Sequence, residues 1–268
     1  MIDFHNHILP NVDDGPKTIE ESVSMIEFAY KQGITDIVQT VHFQHPKMYN
    51  KNVDYSFLVN KTKELQSCIY KKKIDIKIHL SAEVFYLPNL VEISSNPLVT
   101  IGNNKYMLIE FKANIFPENF EDQFYQLQLN GITPIVAHPE RYRFIQNDIN
   151  ILEKWISRGY IIQLDAGSIL GNFGKKIEET SFQMINSGFI HLIGSDAHNN
   201  KKRNFCLKTT YDLLENNYGY EFISFLKQNA SNILTGEKIE NIDLVKYRKK
   251  SINLIFNISK LVNNFRNK

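Results

Sequence analysis

Seven short apolar segments that each end in a histidine or a carboxylate constrain the fold of this chain more than any other feature. The segments are rich in β-branched residues, and amphipathic helical segments separate them along the chain. Strands that alternate with helices in this way are typical of a single parallel α/β domain. The residues that end the seven segments are His5, His42, Glu83, Glu110, His138, Asp165 and Asp196.

The shared position of these polar residues predicts one site. In a closed barrel of parallel strands, the carboxyl ends of all strands open on one face, and active sites lie on that face. Any single residue of the set has an ordinary explanation, such as a buried histidine with a hydrogen-bond partner or a solvated helix cap. Seven residues in the same position favour a seven-stranded barrel with a polar site at one end.

The first segment carries Asp3-Phe4-His5-Asn6-His7. Residues i and i+2 of an extended strand point to the same face, so the two histidines can converge on one point. Asp13 and Asp14 follow on a turn that Gly15-Pro16 marks. Imidazoles and carboxylates together outline a metal site, although a polar strand end with solvated histidines would have the same spacing.

Composition excludes several classes of protein. The net charge of +2 creates no field that would require a nucleic-acid partner. The chain does not begin with a secretory signal, and no apolar run approaches the 18 to 20 or so residues of a membrane span. We therefore expect a cytoplasmic protein.

The two cysteines, Cys68 and Cys206, are far apart in the sequence, which argues against a disulfide framework. A cysteine-dependent phosphatase would need an arginine six residues after its nucleophile. Ile74 and Asp212 occupy those positions, so both cysteines are interpreted as plain apolar residues.

Histidines and carboxylates without cysteine suit manganese, iron, zinc or magnesium. The number of ligands exceeds what one ion needs, so two or three ions are expected. Such clusters supply a hydroxide near neutral pH and stabilise both oxygens of an in-line displacement, which favours phosphate-ester hydrolysis. Arg141 and Arg203 closely follow strand ends and could bind phosphoryl oxygens bidentately. The alternative for both arginines is a pair of solvated basic loops.

An ordered set of motifs covers about residues 1 to 236. It comprises DFHNH with VDDGP, EVFY from Glu83, LIEF around Glu110, GITPIVAHPERY ending at Tyr142, and SDAHN from Ser195. Together these motifs resemble the PHP superfamily of metal-dependent phosphoesterases and, within it, the CpsB/YwqE-type bacterial protein-tyrosine phosphatases.

This resemblance implies a distorted (β/α)7 TIM-like barrel, the PHP fold, with three divalent ions, of which manganese is the leading candidate. The implied ligands are His5, His7, Glu83 and Asp196 for the first ion, Glu83, Glu110 and His138 for the second, and Asp14, His42 and His198 for the third. Arg141 and Arg203 match the phosphate-binding arginines of the family.

Four polar residues fit this set less well. His45 rivals His42, because the motif there is short. Asp165 matches no ligand of the family and is left as a supporting or structural residue. His191, which we expect midway along a strand, and His79 are interpreted as non-ligands.

The resemblance also implies a partner: the phosphotyrosine tail of a membrane-linked tyrosine autokinase that controls capsule or exopolysaccharide synthesis. We expect residues 1–243 to form the phosphatase domain and residues 244–268 to form a basic amphipathic helix. Two alternatives remain open for that helix. It packs on the barrel, or it lies on the inner face of the membrane or on a partner.

Two other functions compete with a tyrosine phosphatase. One is a small-molecule phosphoesterase of the same superfamily, such as a histidinol-phosphate phosphatase, which the Asp-Asp-Gly-Pro element at residues 13–16 disfavours. The other is a non-catalytic module of a polymerase or a complex, which is disfavoured because no polymerase region is present and no expected ligand is missing.

Overall fold

A computed structural model describes residues 1–48 and 54–239 of the chain. Seven parallel strands form one sheet, and their spatial order follows their order in the sequence. The strands are β1 (Ile2–Asn6), β2 (Asp36–Phe43), β3 (Lys77–Phe85), β4 (Tyr106–Glu110), β5 (Thr133–Ala137), β6 (Ile161–Asp165) and β7 (Leu192–Gly194).

Helices follow the strands and cover the outside of the sheet. They are α1 (Ile19–Lys31), α2 (Tyr55–Lys71), α3 (Leu90–Ile93), α4 (Phe120–Leu129), α5 (Arg143–Asn147), α6 (Ile151–Ser157), α7 (Ala166–Ile169), α8 (Lys175–Ser187), α9 (Leu207–Tyr218) and α10 (Tyr220–Thr235). One 3₁₀ turn, Pro139–Arg141, directly follows His138. In residues 1–48 and 54–239 no helix combines the length and apolarity that a membrane crossing requires.

The sheet closes into a barrel where the first strand meets the last. The Asp196 amide donates to the His5 carbonyl at 2.7 Å, and the His7 amide donates to the Ala197 carbonyl at 2.8 Å. Asn6 and Ala197 form a parallel bridge between them. The predicted seven-stranded α/β barrel is therefore confirmed.

Six of the strands each contribute a side chain to one apolar cluster inside the barrel. Helix α10 adds Ala230 and Ile233, which close the end opposite the carboxyl ends of the strands. The strand residues of this cluster include Phe4, Val38, Leu108, Ile135, Ile161 and Leu192. A second, larger cluster lies between the sheet and the surrounding helices. Apolar packing therefore fills the barrel below the strand ends and leaves those ends for polar residues.

Local sequence signals account for several element boundaries. Thr18 caps α1, and its hydroxyl oxygen accepts a hydrogen bond from the Glu21 amide at 3.3 Å, as the capping pattern predicts. The Glu21 carboxylate accepts from the Lys17 amide rather than from Thr18 itself. Asp54 caps α2 in the same way through the Phe57 amide.

The prediction for the last strand was wrong in one respect. His191 lies just before β7 rather than midway along a strand, because β7 has only three residues. Its amide and its Nδ1 both bond the backbone of Ile162 in β6.

The predicted domain boundary at residue 243 and the predicted helix at 244–268 lie outside the described residues.

Gly194 sits where the barrel closes, and a Cβ there would lie 2.5 Å from the His5 Cβ and 2.6 Å from the Gln163 Nε2. We predict that Gly194→Ala lowers the free energy of unfolding by about 1–3 kcal/mol, as overpacking does. Hydrogen exchange at the His7 and Asp196 amides should accelerate. Gly33→Ala is the control, because its Cβ meets no atom within 4 Å and only its positive φ of 81° is strained. Unchanged exchange at the two amides in Gly194→Ala would contradict the tight closure.

Candidate metal centre

The carboxyl ends of the strands surround a small polar cavity of about 170 Å³. Among the described residues, four overlapping groups of side chains lie there, and within each group the ligand atoms are no more than 4.8 Å apart. The groups are His7, Asp14, His42 and His198; His5, His7 and Asp196; His5, Glu83 and His138; and His42, Glu83 and Glu110. These groups contain all nine residues that the sequence analysis singled out as ligands, and all nine come from the strand ends or the loops that follow them.

Glu83 lies at the centre of the cluster. Its Oε2 is 3.1 Å from the His5 Nε2 and 3.4 Å from the His7 Nε2, and its Oε1 is 2.8 Å from the His138 Nε2. The carboxylate is almost completely buried. Because its two oxygens face different histidines, it can bridge two ions.

Hydrogen bonds at the outer nitrogen orient three of the histidine rings. The His5 Nδ1 bonds the Gln163 Oε1 at 3.0 Å, and the His7 Nδ1 bonds the Asp13 Oδ2 at 2.9 Å. The His198 Nδ1 bonds the Asp196 carbonyl at 2.8 Å. In each of these bonds Nδ1 is the donor and carries the proton. The lone pair of Nε2 can therefore face a cation. The Nε2 atoms of His5 and His7 are 3.4 Å apart, so the predicted convergence of the two rings is observed.

The charges of the cluster fit divalent cations. Burial, together with the negative charges of Glu83 and Asp196, raises the pKa of Glu110 well above its usual value. Burial alone would raise the pKa of Glu83 too, but His5 and His42 hold it well below its ordinary range. Carboxylates are thus crowded together in a buried site, where imidazoles and arginines balance them. A cation placed among the same oxygens and nitrogens would relieve this repulsion, so the donor set fits manganese, iron, zinc or magnesium.

Two residues of the cluster have an unusual backbone. His138 has a φ of 33° and Asp196 a φ of 48°, both in the left-handed region that non-glycine residues rarely adopt. Such conformations persist only where the surroundings hold them. The turns after β5 and β7 thus aim these side chains into the cavity at a cost in backbone strain.

Two arginines line the same cavity. The Arg141 Nη1 is 2.6 Å and the Arg203 Nη2 is 2.7 Å from the Asp196 Oδ2, and the Arg141 Nη2 donates to Asp165. The Nε–H groups of both arginines are buried and bond no other described residue. Each guanidinium group therefore keeps one buried N–H that no described residue accepts.

The structure places His42 in a ligand group and leaves His45 outside. The His42 Nε2 is 3.3 Å from the Asp14 Oδ1, whereas the His45 Nε2 is 3.8 Å from the Glu110 Oε2. His45 nevertheless lines the cavity, and its ring centroid is 4.9 Å from that of His42. His79 pairs with Asp36 in the lower half of the barrel wall, away from the cluster.

Sequence reasoning missed two residues that orient the metal-facing histidines. One is Asp13, which bonds the His7 ring. The sequence shows it only as the neighbour of Asp14, and the Asp-Asp pair does not indicate which carboxylate faces a cation. Gln163 lies two residues before the end of β6 and reaches His5 on β1. No spacing in the sequence could have shown this pairing, because it depends on the closure of the barrel.

We predict that Asp13→Asn weakens metal binding by about 10- to 100-fold, because His7 loses the carboxylate that fixes its tautomer. Elemental analysis after dialysis against graded chelator would measure the loss. Asp148→Asn, the same change at an exposed turn, is the control. Equal metal retention by the two variants would contradict an orienting role for Asp13.

Comparison with known proteins places these features in one family. The family described as "Capsular polysaccharide synthesis, CpsB/CapC" matches residues 1–235. The putative tyrosine-protein phosphatase CapC of Staphylococcus aureus is 35% identical over 252 residues, which cover 93% of this chain and 98% of that protein. The tyrosine-protein phosphatase YwqE of Bacillus subtilis (strain 168) is 34% identical over 240 residues, which cover 89% of this chain and 93% of that protein.

The solved structures agree with this assignment. One match comes from the crystal structures of YwqE from Bacillus subtilis and CpsB from Streptococcus pneumoniae, which are described as unique metal-dependent tyrosine phosphatases. It superposes on this chain with a TM-score of 0.83. It is 32% identical to this chain, and the match covers 90% of this chain and 97% of that one. The lactonase Lmo2620 of Listeria monocytogenes, at 13% identity and a TM-score of 0.55, shares the barrel fold alone. The chain therefore belongs to the CpsB/CapC family, the group of CpsB/YwqE-type phosphatases that its motifs resemble.

Proposed function

We propose that this chain is a metal-dependent protein-tyrosine phosphatase. The observation that carries the proposal is the position of two arginines, each with a free buried donor, directly beside four ligand groups in one cavity. Membership of a family whose curated relatives are named tyrosine-protein phosphatases makes the chain a phosphoric monoester hydrolase. The finer parts of the proposal concern the ions, the roles of single residues and the substrate.

We assign three divalent ions, with manganese as the leading candidate. When bound, such ions lower the pKa of a water molecule and neutralise charge on phosphoryl oxygens. Two of the four groups of ligand atoms correspond to the proposed third ion and to most of the first ion, and the other two groups share Glu83 and contain Glu110 or His138. His5, His7, Glu83 and Asp196 would hold the first ion, Glu83, Glu110 and His138 the second, and Asp14, His42 and His198 the third.

Arg141 and Arg203 bind the phosphoryl group in this proposal. Both contact the same oxygen of Asp196, a residue that would hold the first ion. Their planar N–H groups match the oxygens of a phosphate ester and stabilise the negative charge that these oxygens carry. The lining of the cavity is almost entirely charged or polar, so it suits the phosphoryl group rather than the aromatic ring of the substrate.

The proposed substrate is the phosphotyrosine tail of a membrane-linked tyrosine autokinase that controls capsule or exopolysaccharide synthesis. The family description and the names of the relatives support this assignment. We also retain the hypothesis that residues 244–268 contact the inner face of the membrane, where such a kinase would present its tail.

We predict that Arg141→Ala and Arg203→Ala each keep the full metal content and lower turnover by about 10²-fold, since each removes charge stabilisation from the transition state. His7→Ala and Asp196→Ala should lose metal as well as activity. Arg143→Ala is the matched control, because this exposed arginine is two residues from Arg141. Metal loss in the two arginine variants, with activity recovered at high metal concentration, would show that our division of roles is wrong.

The leaving group separates the two enzyme hypotheses. Tyrosine has a pKa of about 10, so its phenolate leaves more readily than an alkoxide. None of the matched motifs contains a residue whose evident role is to protonate an alkoxide. We therefore predict efficient hydrolysis of phosphotyrosine peptides and little hydrolysis of phosphoserine peptides or histidinol phosphate.

A side-by-side comparison of kcat/KM on the three substrates, with manganese present, measures this preference. Catalytically inactive Asp196→Ala protein, prepared in parallel, controls for contaminating phosphatases. A clear preference for histidinol phosphate would overturn the proposed substrate class and leave the metal centre unaffected.

A further inference from the structure

We infer that Phe173 is a positioning residue, whose ring holds the Arg141 guanidinium in the orientation that binds a phosphoryl group. This inference rests on the proposed function. Phe173 lies between α7 and α8 and is partly buried. The Arg141 Cζ lies 4.1 Å from the centroid of its ring, and the Arg203 Cζ lies 5.8 Å from the same centroid. One aromatic ring thus lies within cation–π distance of both proposed phosphate-binding residues.

The contacts of Arg141 divide into two kinds. Along the edge of the guanidinium, Nη1 donates to Asp196 and Nη2 donates to Asp165. Asp165 is completely buried, and its Oδ1 accepts a hydrogen bond from the Ser168 amide at 3.0 Å. This aspartate at the end of β6, which matched no ligand of the family, therefore supports Arg141 rather than the metal groups.

The ring of Phe173 restrains the Arg141 guanidinium in a different way from the two carboxylates. Two carboxylates hold the guanidinium in its plane, but each of them occupies N–H groups that a phosphate would otherwise use. The Phe173 ring, over which the Arg141 Cζ lies, attracts the guanidinium through a cation–π contact and occupies no N–H group. Phe173 can therefore orient Arg141 without taking up the Arg141 Nε–H, which no described residue accepts.

The segment that carries Phe173 is built to hold the ring in place. The Asn172 amide donates to the Gly167 carbonyl at 3.0 Å, and the Gly174 amide donates to the Gly171 carbonyl at 3.1 Å. Gly171 and Gly174 have φ angles of 76° and 98°, which favour glycine.

Helix α7 also has a glycine where the Phe173 ring approaches it. A Cβ at Gly167 in α7 would lie 3.0 Å from the Phe173 Cε2, so the absence of a side chain there lets the ring approach. These local features have no evident purpose in the core, because Phe173 belongs to neither of the two buried apolar clusters.

The test compares Phe173→Leu, which keeps apolar bulk and removes the aromatic face, with Phe173→Tyr, which keeps the face. Phe28→Leu is the matched control, because Phe28 is an exposed phenylalanine on α1. Metal-loaded full-length proteins are titrated with inorganic phosphate by calorimetry, and metal content is measured on the same samples. We expect phosphate to bind Phe173→Leu about 3- to 10-fold more weakly, as loss of a cation–π contact implies. Binding to Phe173→Tyr and Phe28→Leu should stay within twofold of the original protein.

A double-mutant cycle tests whether the ring acts through the arginine. In an Arg141→Ala background, Phe173→Leu should cause little further loss of phosphate affinity. With an aryl phosphate as substrate, Phe173→Leu should raise KM, and Phe173→Tyr should restore it. If Phe173→Leu does not fold, Phe173→Met replaces it, because methionine also keeps apolar volume without an aromatic face.

Two results would overturn the inference. One is unchanged phosphate affinity in the leucine variant, and the other is a weakening fully explained by lost metal. Failure of the proposed function looks different, since the original metal-loaded protein would then hydrolyse no phosphotyrosine peptide at all.

Discussion

Two backbone hydrogen bonds at the carboxyl ends of the first and last strands hold the candidate metal centre together. They join His5 to Asp196 and His7 to Ala197, which are nearly 200 residues apart in the sequence. The histidines of one strand end and the acid of the other meet only because these bonds close the barrel. Gly194 permits the approach, since a side chain at that position would collide with His5. The hydrogen bonds that close the barrel therefore also bring the ligand groups together.

Electrostatics explains why so much of the fold serves this end. Burying several carboxylates together is unfavourable, and the raised pKa of Glu110 reflects it. Imidazoles around Glu83 and two arginines on Asp196 offset this negative charge. Arg141 in turn contacts the Asp165 carboxylate and the Phe173 ring. The two arginines thus line the same cavity as the ligand groups, and each keeps a buried Nε–H that no described residue accepts.

The sequence predicted the barrel well, because alternating strands and helices with polar strand ends leave few other architectures. The family resemblance of its motifs implied the nine side chains that the structure brings together, and six of them are strand-end residues, which a parallel barrel places on one rim. His45 remained a rival to the assigned His42, because the motif there is short and only the folded structure shows that the His42 ring lies beside Asp14. The roles of Gln163 and Phe173 were likewise hidden, since each depends on contacts between distant segments. The true start of β7 was missed because apolar residues before it continue the strand-like pattern.

We propose that this polar rim is a metal centre that hydrolyses phosphotyrosine. The most direct measurement is phosphotyrosine-peptide turnover by the purified protein, together with elemental analysis of the same sample before and after chelation. We expect the metal-free protein to be inactive, and added manganese to restore turnover in step with bound metal. Full activity in a sample that elemental analysis shows to be free of metal would contradict the account.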